Sequence, residues 1–326
     1  MEEGLVSQLG FTFQGIPAGG LHGVAPLRAV HNALHLLRGL LICWRLLGRE
    51  RPTALLTNGG YVSIPVAVAA WLRRVPILLY LPDIEPAQSV QLIARLAAHI
   101  GVTVEDSRAF LPAEKVSVTG YPLRESVTRW TRAEALPALG LEDDAPVLLV
   151  FGGSRGARSI NQAITAQLPA LLELAQVVHI SGELDWPAVS EARLALPQAQ
   201  RQRYHAYAYL HEEMGAALAA ADLVVSRAGA SILGEFPYFG LPAILVPYPY
   251  AWRYQKVNAE WLAQRGAAVV LLDADLRDTL LPTVTHLLHD TAQREQMGTA
   301  ARALAQPAAA ATLATHWLAL AKGKMV

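Results

Sequence analysis

Pro146-Val147-Leu148-Leu149-Val150-Phe151, followed at once by Gly152-Gly153-Ser154-Arg155-Gly156, has the composition of a strand sealed inside a parallel sheet and of the turn that leaves it. An apolar run without alternation is what burial on both sheet faces requires. The glycines permit tight turning and close backbone approach, and Ile160, Ile164 and Leu168 then recur at helical spacing. The same grammar appears upstream, where 53–57 and Asn58-Gly59-Gly60 lead into a small-residue helix at 65–72.

Working outward, further short strands are predicted at 76–80, 101–104, 116–118, 176–180, 223–226, 243–246 and 268–272. Helices are predicted at 89–98, 211–220, 231–236, 254–264 and 281–289, the last with Pro282 in its first turn. Alternating elements in two halves imply the α/β class, with two doubly wound domains. The boundaries read as 1–125, a linker at 126–145 carrying Pro137 and Glu142-Asp143-Asp144, and a second domain at 146–310. The alanine-rich end, broken at Pro307, leaves a last helix within 311–326.

Composition agrees with two cores. A chain of 326 residues exceeds the usual ceiling for one, and 53% hydrophobic with 17% charged residues excludes disorder. Lys+Arg and Asp+Glu balance at 27 each, which removes the electrostatic case for a nucleic-acid partner. One cysteine, Cys43, excludes an internal disulfide and a multi-cysteine zinc site. The longest uncharged runs, 52–72 and 236–252, are broken by Pro65 and by Pro237, Pro242, Pro247 and Pro249, so no spanning helix is expected. Residues 27–51 differ: Arg28, Arg38, Arg45, Arg49 and Arg51 face only Glu50 and are interleaved with leucines and Trp44. This suits a helix lying on an anionic membrane surface, and also an amphipathic helix packed on a sheet with its arginines solvated.

Three loops carry candidate chemistry. Gly152, Gly153 and Gly156 precede a helix whose free N–H groups suit a phosphate, with Ser154 as an added donor; a ligand-free glycine connection has the same signature. Ser226-Arg227-Ala228-Gly229-Ala230-Ser231 again ends a strand and opens a helix, with Glu235 one turn inside, where a carboxylate accepts both hydroxyls of a ribose. The segment 247–259 combines Tyr248, Tyr250, Trp252 and Tyr254 with Gln255 and Asn258, amides suited to sugar hydroxyls; its aromatics fit an interface or core equally well. Two rival signals exist. Gly152–Gly156 also matches GxSxG, the setting of a hydrolase nucleophile at Ser154. His31 and His35 form an HxxxH pair, but without the glutamate of HExxH they read as structural, and no metal site is assigned.

Taken in order, 57–63 with Pro65, Gly120-Tyr121-Pro122-Leu123-Arg124, 152–158 with Asn161, Ala221-Asp222, Arg227–Ala230 with Glu235, 240–243 with Pro247, and Gln255 with Asn258-Ala259 resemble successive blocks of the MurG glycosyltransferase family. Ordered blocks over nearly the whole chain demote the hydrolase reading. The resemblance implies a GT-B fold: two Rossmann-like domains facing a cleft, with a C-terminal helix packing back on the first. It implies inverting transfer of N-acetylglucosamine from UDP-GlcNAc, a substrate rather than a cofactor, to undecaprenyl-diphospho-muramoyl pentapeptide, without a nucleotide-bound metal; the alternatives are a related transferase with another lipid-linked acceptor, or a catalytically inactive paralogue that binds a nucleotide sugar. It also implies peripheral attachment at the cytoplasmic face of the membrane through an apolar, basic patch that Trp71 would join.

Carried over by position, Arg124 and Ser154 would contact the donor nucleotide or phosphates, and His211 falls where backbone meets the uracil. Ala230, Ser231, Ile232, Leu233, Gly234 and Glu235 would form the diphosphate and ribose site, Gln255 would read the sugar hydroxyls with help from Asn258, and Asn58, Gly59, Gly60 and Tyr61 would lie on the acceptor side. The sequence departs from the family twice. Met1-Glu2-Glu3-Gly4-Leu5-Val6 resembles the segment after the family's second strand, so the N-terminal domain is expected to be incomplete, lacking a glycine loop and a histidine. Tyr80-Leu81-Pro82-Asp83 replaces a His-Glu-Gln-Asn block. Asp83 is a candidate catalytic base, or a capping acid for the helix near Ser89.

Overall fold

A computed structural model describes residues 2–8, 10–17, 19, 26–153, 156–250 and 254–323. The chain divides into two compact units, one of Met1–Pro82, Pro86–Thr119 and Ala311–Val326, the other of Asp83–Glu85 and Gly120–Ala310.

The first unit is built on four parallel strands in sequential order, β1 (Leu55–Thr57), β2 (Ile77–Leu81), β3 (His99–Val102) and β4 (Val116–Val118). Ile77, Leu79, Ile100 and Val102 form a core with Ala67, Ala69 and Ala70 of the helix Ser63–Leu72, Ile93 of Gln88–Leu96, and Cys43 and Leu47 of Pro26–Glu50. Leu78 and Tyr80, the alternate residues of β2, instead meet Leu313 of the helix Ala309–Ala321. That helix also brings His316 Nδ1 within 3.0 Å of His99 Nε2. Burial of the pair and their mutual repulsion lower the pKa of His99, and burial lowers that of His316.

The second unit holds six parallel strands, β5 (Val147–Phe151), β6 (Gln176–Ile180), β7 (Tyr204–Tyr207), β8 (Leu223–Ser226), β9 (Ala243–Leu245) and β10 (Ala268–Val270), in the order β10-β9-β8-β5-β6-β7. The chain starts centrally at β5, runs outward through β6 and β7, then returns to β8 on the other side. The boundary between β5 and β8, with Phe151 opposite Ser226, is therefore a topological switch point. Every residue of β5, β6 and β8 is buried, including the polar Gln176, His179 and Ser226 beside their apolar neighbours.

Several elements differ from the sequence expectation. β7 is absent from it because Tyr-His-Ala-Tyr, at a sheet edge, has only Tyr204 buried and so lacks an apolar run. Pro282 lies inside the helix Leu276–His289, which starts earlier than expected, and the helix expected from His211 begins at Met214. The segment 126–145 carries a helix, Arg132–Ala138, started by a Thr131/Glu134 capping box. Its Arg132 makes a two-pronged contact with Asp222 at 3.1 and 3.2 Å.

Candidate active site

The two glycine loops leave the sheet at the switch point. Gly156 has φ +74°, and a Cβ there would come within 2.2 Å of the Ser181 carbonyl oxygen, so the tight turn after β5 requires glycine. Its N–H donates to Gly153 O at 2.9 Å. Ser154, with Arg155, lies outside the described residues. The helix Arg158–Leu174 follows, and Ala157 at its N-cap provides no side-chain acceptor, so first-turn N–H groups remain available to an anion.

Beside this helix start is a cavity of about 690 Å³ whose lining includes Gly152, Gly156, Arg158, Arg227, Tyr248 and Gln255. Arg227, almost fully buried, organises its wall: the guanidinium donates to Val246 O at 3.1 Å and Ser159 Oγ at 2.8 Å, and pairs with Asp273. Ser159 in turn donates to Asp273 at 2.6 Å, tying the start of the helix Arg158–Leu174 to the segments after β8 and β10. Arg227 also lies 5.2 Å from the Tyr248 ring centre. The Tyr248 N–H donates to Gln255 Oε1 at 2.8 Å, fixing the loop on which Tyr248 and Tyr250 pack edge to face.

A buried polar chain reaches the cavity lining at Asp185. His179 Nε2 donates to Asn161 Oδ1 at 2.9 Å, and Tyr204 donates its hydroxyl to His179 Nδ1 at 2.7 Å. Burial pushes the His179 pKa down to about 4, so at neutral pH the ring is uncharged, with one donor and one acceptor, as these partners require. Asn161 Nδ2 then donates to Asp185, which holds Arg158 at the cavity edge.

A second cluster surrounds the helix Ile232–Phe239. Ser231 stands at its N-cap and Glu235 in its first turn. Burial raises the Glu235 pKa, while the Ser231 hydroxyl bond and the Arg124 charge oppose the rise. The Tyr121 ring packs against Gly234. Its phenol is pushed up to about 12 by burial and by Glu235 and Asp83, with Arg124 acting the other way. Arg124, Glu235, Tyr121 and Asp83 thus share one electrostatic environment. Neither Arg124 nor Glu235 is among the described residues lining the cavity, so the sequence candidates fall into two groups. His211 belongs to neither; it packs against Tyr209 at 4.7 Å.

Asp83 does not cap a helix. The N-cap of Gln88–Leu96 is Ala87, with no side-chain bond, and Asp83 instead accepts from Asn258 Nδ2 at 2.9 Å. Asn258, expected to help at a sugar, is fully buried, with its amide spent on protein partners: Asp83, Ala228 O and Ile84 N–H. The remaining departures from expectation are additions. Tyr121 stands in a block that the sequence singled out, but without a role of its own, whereas Ser159, Asp185 and Asp273 carry no sequence signal, because each acts through a partner distant in the chain.

In the first unit, Gly59 has φ +84° and a Cβ there would meet Val90 at 2.7 Å. Ser89 donates to Gly59 O at 2.9 Å, holding the turn of Asn58, Gly59, Gly60 and Tyr61 on the start of the helix Gln88–Leu96. Along Pro26–Glu50, Leu34, Leu37, Leu41 and Trp44 are exposed at i, i+3, i+7 and i+10, one stripe opposite the buried Gly39, Cys43 and Leu47. Arg38, Arg45 and Arg49 flank it, and Trp71 and Leu72 add exposed apolar surface. Among the described residues no helix is long and apolar enough to cross a membrane, and no group of three or more His, Cys, Asp or Glu gathers as a metal site.

Residues 1–100 match the glycosyltransferase family 28 N-terminal domain and residues 147–313 the glycosyltransferase family 28 C-terminal domain. A relative in Roseiflexus sp. (strain RS-1), a UDP-N-acetylglucosamine–N-acetylmuramyl-(pentapeptide) pyrophosphoryl-undecaprenol N-acetylglucosamine transferase, is 43% identical over 96% of this chain and 80% of its own. One of the same name in Chlorobaculum tepidum is 37% identical over 97% of this chain and 87% of its own. The crystal structure of Acinetobacter baumannii MurG superposes with TM-score 0.73 at 22% identity, covering 98% of this chain and 88% of that one, a likeness of fold.

Proposed function

The chain belongs to glycosyltransferase family 28, and we propose that it transfers N-acetylglucosamine from UDP-GlcNAc to undecaprenyl-diphospho-muramoyl pentapeptide, with inversion at the anomeric carbon. The observation that carries this reading is the pair of glycine loops at the switch point of the second unit, each opening onto a helix start with a polar or acidic group beside it. Ligands of doubly wound sheets bind at such points.

In this reading the diphosphate lies on the amides of Gly152, Gly153 and Gly156 and at the start of Ile232–Phe239, with Arg124 and Ser154 adding donors. Glu235 accepts the ribose hydroxyls and Gln255 meets the sugar. Asn58, Gly59, Gly60 and Tyr61 serve the acceptor. Asp83 removes the proton of the acceptor hydroxyl; that oxygen bonds to the anomeric carbon as the bond to the diphosphate breaks, and UDP leaves with the electron pair. Burial raises the Asp83 pKa, which strengthens it as a base. Amides and helix starts aimed at the departing diphosphate supply preorganised stabilisation, about 3 kcal/mol per donor in comparable sites. The exposed leucine and arginine stripe rests on an anionic membrane from the cytoplasmic side, where a lipid-linked acceptor is met.

The test is transfer of labelled sugar from UDP-GlcNAc to the muramoyl-pentapeptide lipid, with a simple glycolipid as competing acceptor. Label in the muramoyl lipid is expected. Label confined to the glycolipid would reject the acceptor assignment.

A further inference from the structure

Asn258 lies on the helix Tyr254–Gln264 and has no exposed surface. A buried carboxamide is costly unless both ends are bonded, and here they are. One N–H reaches Asp83 Oδ1 at 2.9 Å and the amide oxygen accepts the next residue's N–H, Ile84, at 3.3 Å. These contacts grip two consecutive residues from one side, as a base pair does. The second N–H goes to Ala228 O at 3.2 Å, in the loop that leads to Ser231 and Glu235. We propose that Asn258 is a positioning residue for transfer: its amide fixes the Asp83 carboxylate in register with the donor loop after β8 and favours the ionised form that takes the proton.

The surroundings make this donor important. The groups facing Asp83 are Tyr121, itself beside Glu235 and Arg124, and Tyr254, which also faces Glu85. Burial disfavours a charge on Asp83, and Asn258 is the described residue that donates a hydrogen bond to its side chain. Burial raises the Asp83 pKa and the Asn258 bond lowers it. A base must be deprotonated to act, so turnover rises with pH through this pKa. Removing the donor raises the pKa further and moves the acid limb of the profile to higher pH.

This inference rests on Asp83 being the base, and the experiment separates the two. The pH dependence of kcat is measured for the full chain and for Asn258→Ala, with UDP affinity and thermal unfolding as controls. The expected result is an acid limb shifted upward by about one pH unit, the scale of one charge-assisted hydrogen bond, and about tenfold lower turnover below it. Asn258→Ser, which retains one donor, is expected to shift the limb the same way by less, and supplies the measurement if the alanine variant does not fold. An unmoved limb in the folded variant, with turnover lost equally at every pH, overturns the role of Asn258. Full turnover in Asp83→Asn would instead remove the base assignment.

Discussion

Glu235 stands where four effects meet. Burial disfavours its charge, while the Ser231 hydroxyl and Arg124 favour it, and a helix start adds its own preference for an anion. A ribose diol would complete this arrangement with two more donors. Glu235→Ala is therefore predicted to weaken UDP binding by about 10- to 100-fold, the loss of hydrogen bonds to a charged group; calorimetric titration with UDP checks it, and an unchanged affinity would reject the ribose role. The glycine turns and Glu235 are legible in the sequence because a glycine turn between an apolar run and a helix, with an acid in that helix's first turn, is a local pattern. Asn258 misleads there: its amide suits a sugar, yet it falls one turn from the buried Leu262 on the same helix face, a spacing that points inward. The ties of Arg227 to Ser159 and Asp273 span most of the unit's sequence and leave no local trace.

At the scale of elements, strands buried on both faces were readable and the edge was not. β5 is a continuous apolar run and β6 and β8 are mostly apolar, whereas β7 is recognisable only once paired with β6, from Val177 opposite Tyr204 to Ile180 opposite Tyr207. The helix Pro26–Glu50 presents the reverse case, since composition left open whether its leucines or its arginines face solvent. Both do: the small and compact face of Gly39, Cys43 and Leu47 packs inward, leaving Leu37 and Leu41 each 54% exposed. Residues so exposed contribute little to folding. Leu37→Glu with Leu41→Glu is expected to leave the unfolding temperature within about 2 °C, surface changes being small in effect. The same pair should cut partition onto anionic vesicles by about tenfold or more, from lost apolar burial and added repulsion. Vesicle sedimentation measures this, and equal binding would show that another surface meets the lipid.

For the whole molecule, the β-α alternation anticipated two parallel sheets, and the strand order explains why chemistry gathers where it does. A chain that begins in the middle of a sheet and returns past its own start leaves two loops diverging at one point. Both glycine loops lie there. What the alternation could not reveal is the grouping of Asp83–Glu85 with the second unit, because it depends on a buried amide more than 170 positions away in sequence. Transfer by direct attack, with Asp83 as base and UDP as leaving group, has a definite stereochemical signature. The decisive measurement is nuclear magnetic resonance of the isolated product from UDP-GlcNAc and the muramoyl-pentapeptide lipid, with UDP release counted in parallel. A β-linked disaccharide formed in equal amount to UDP is predicted; an α-linked product, or UDP released without disaccharide, would contradict it.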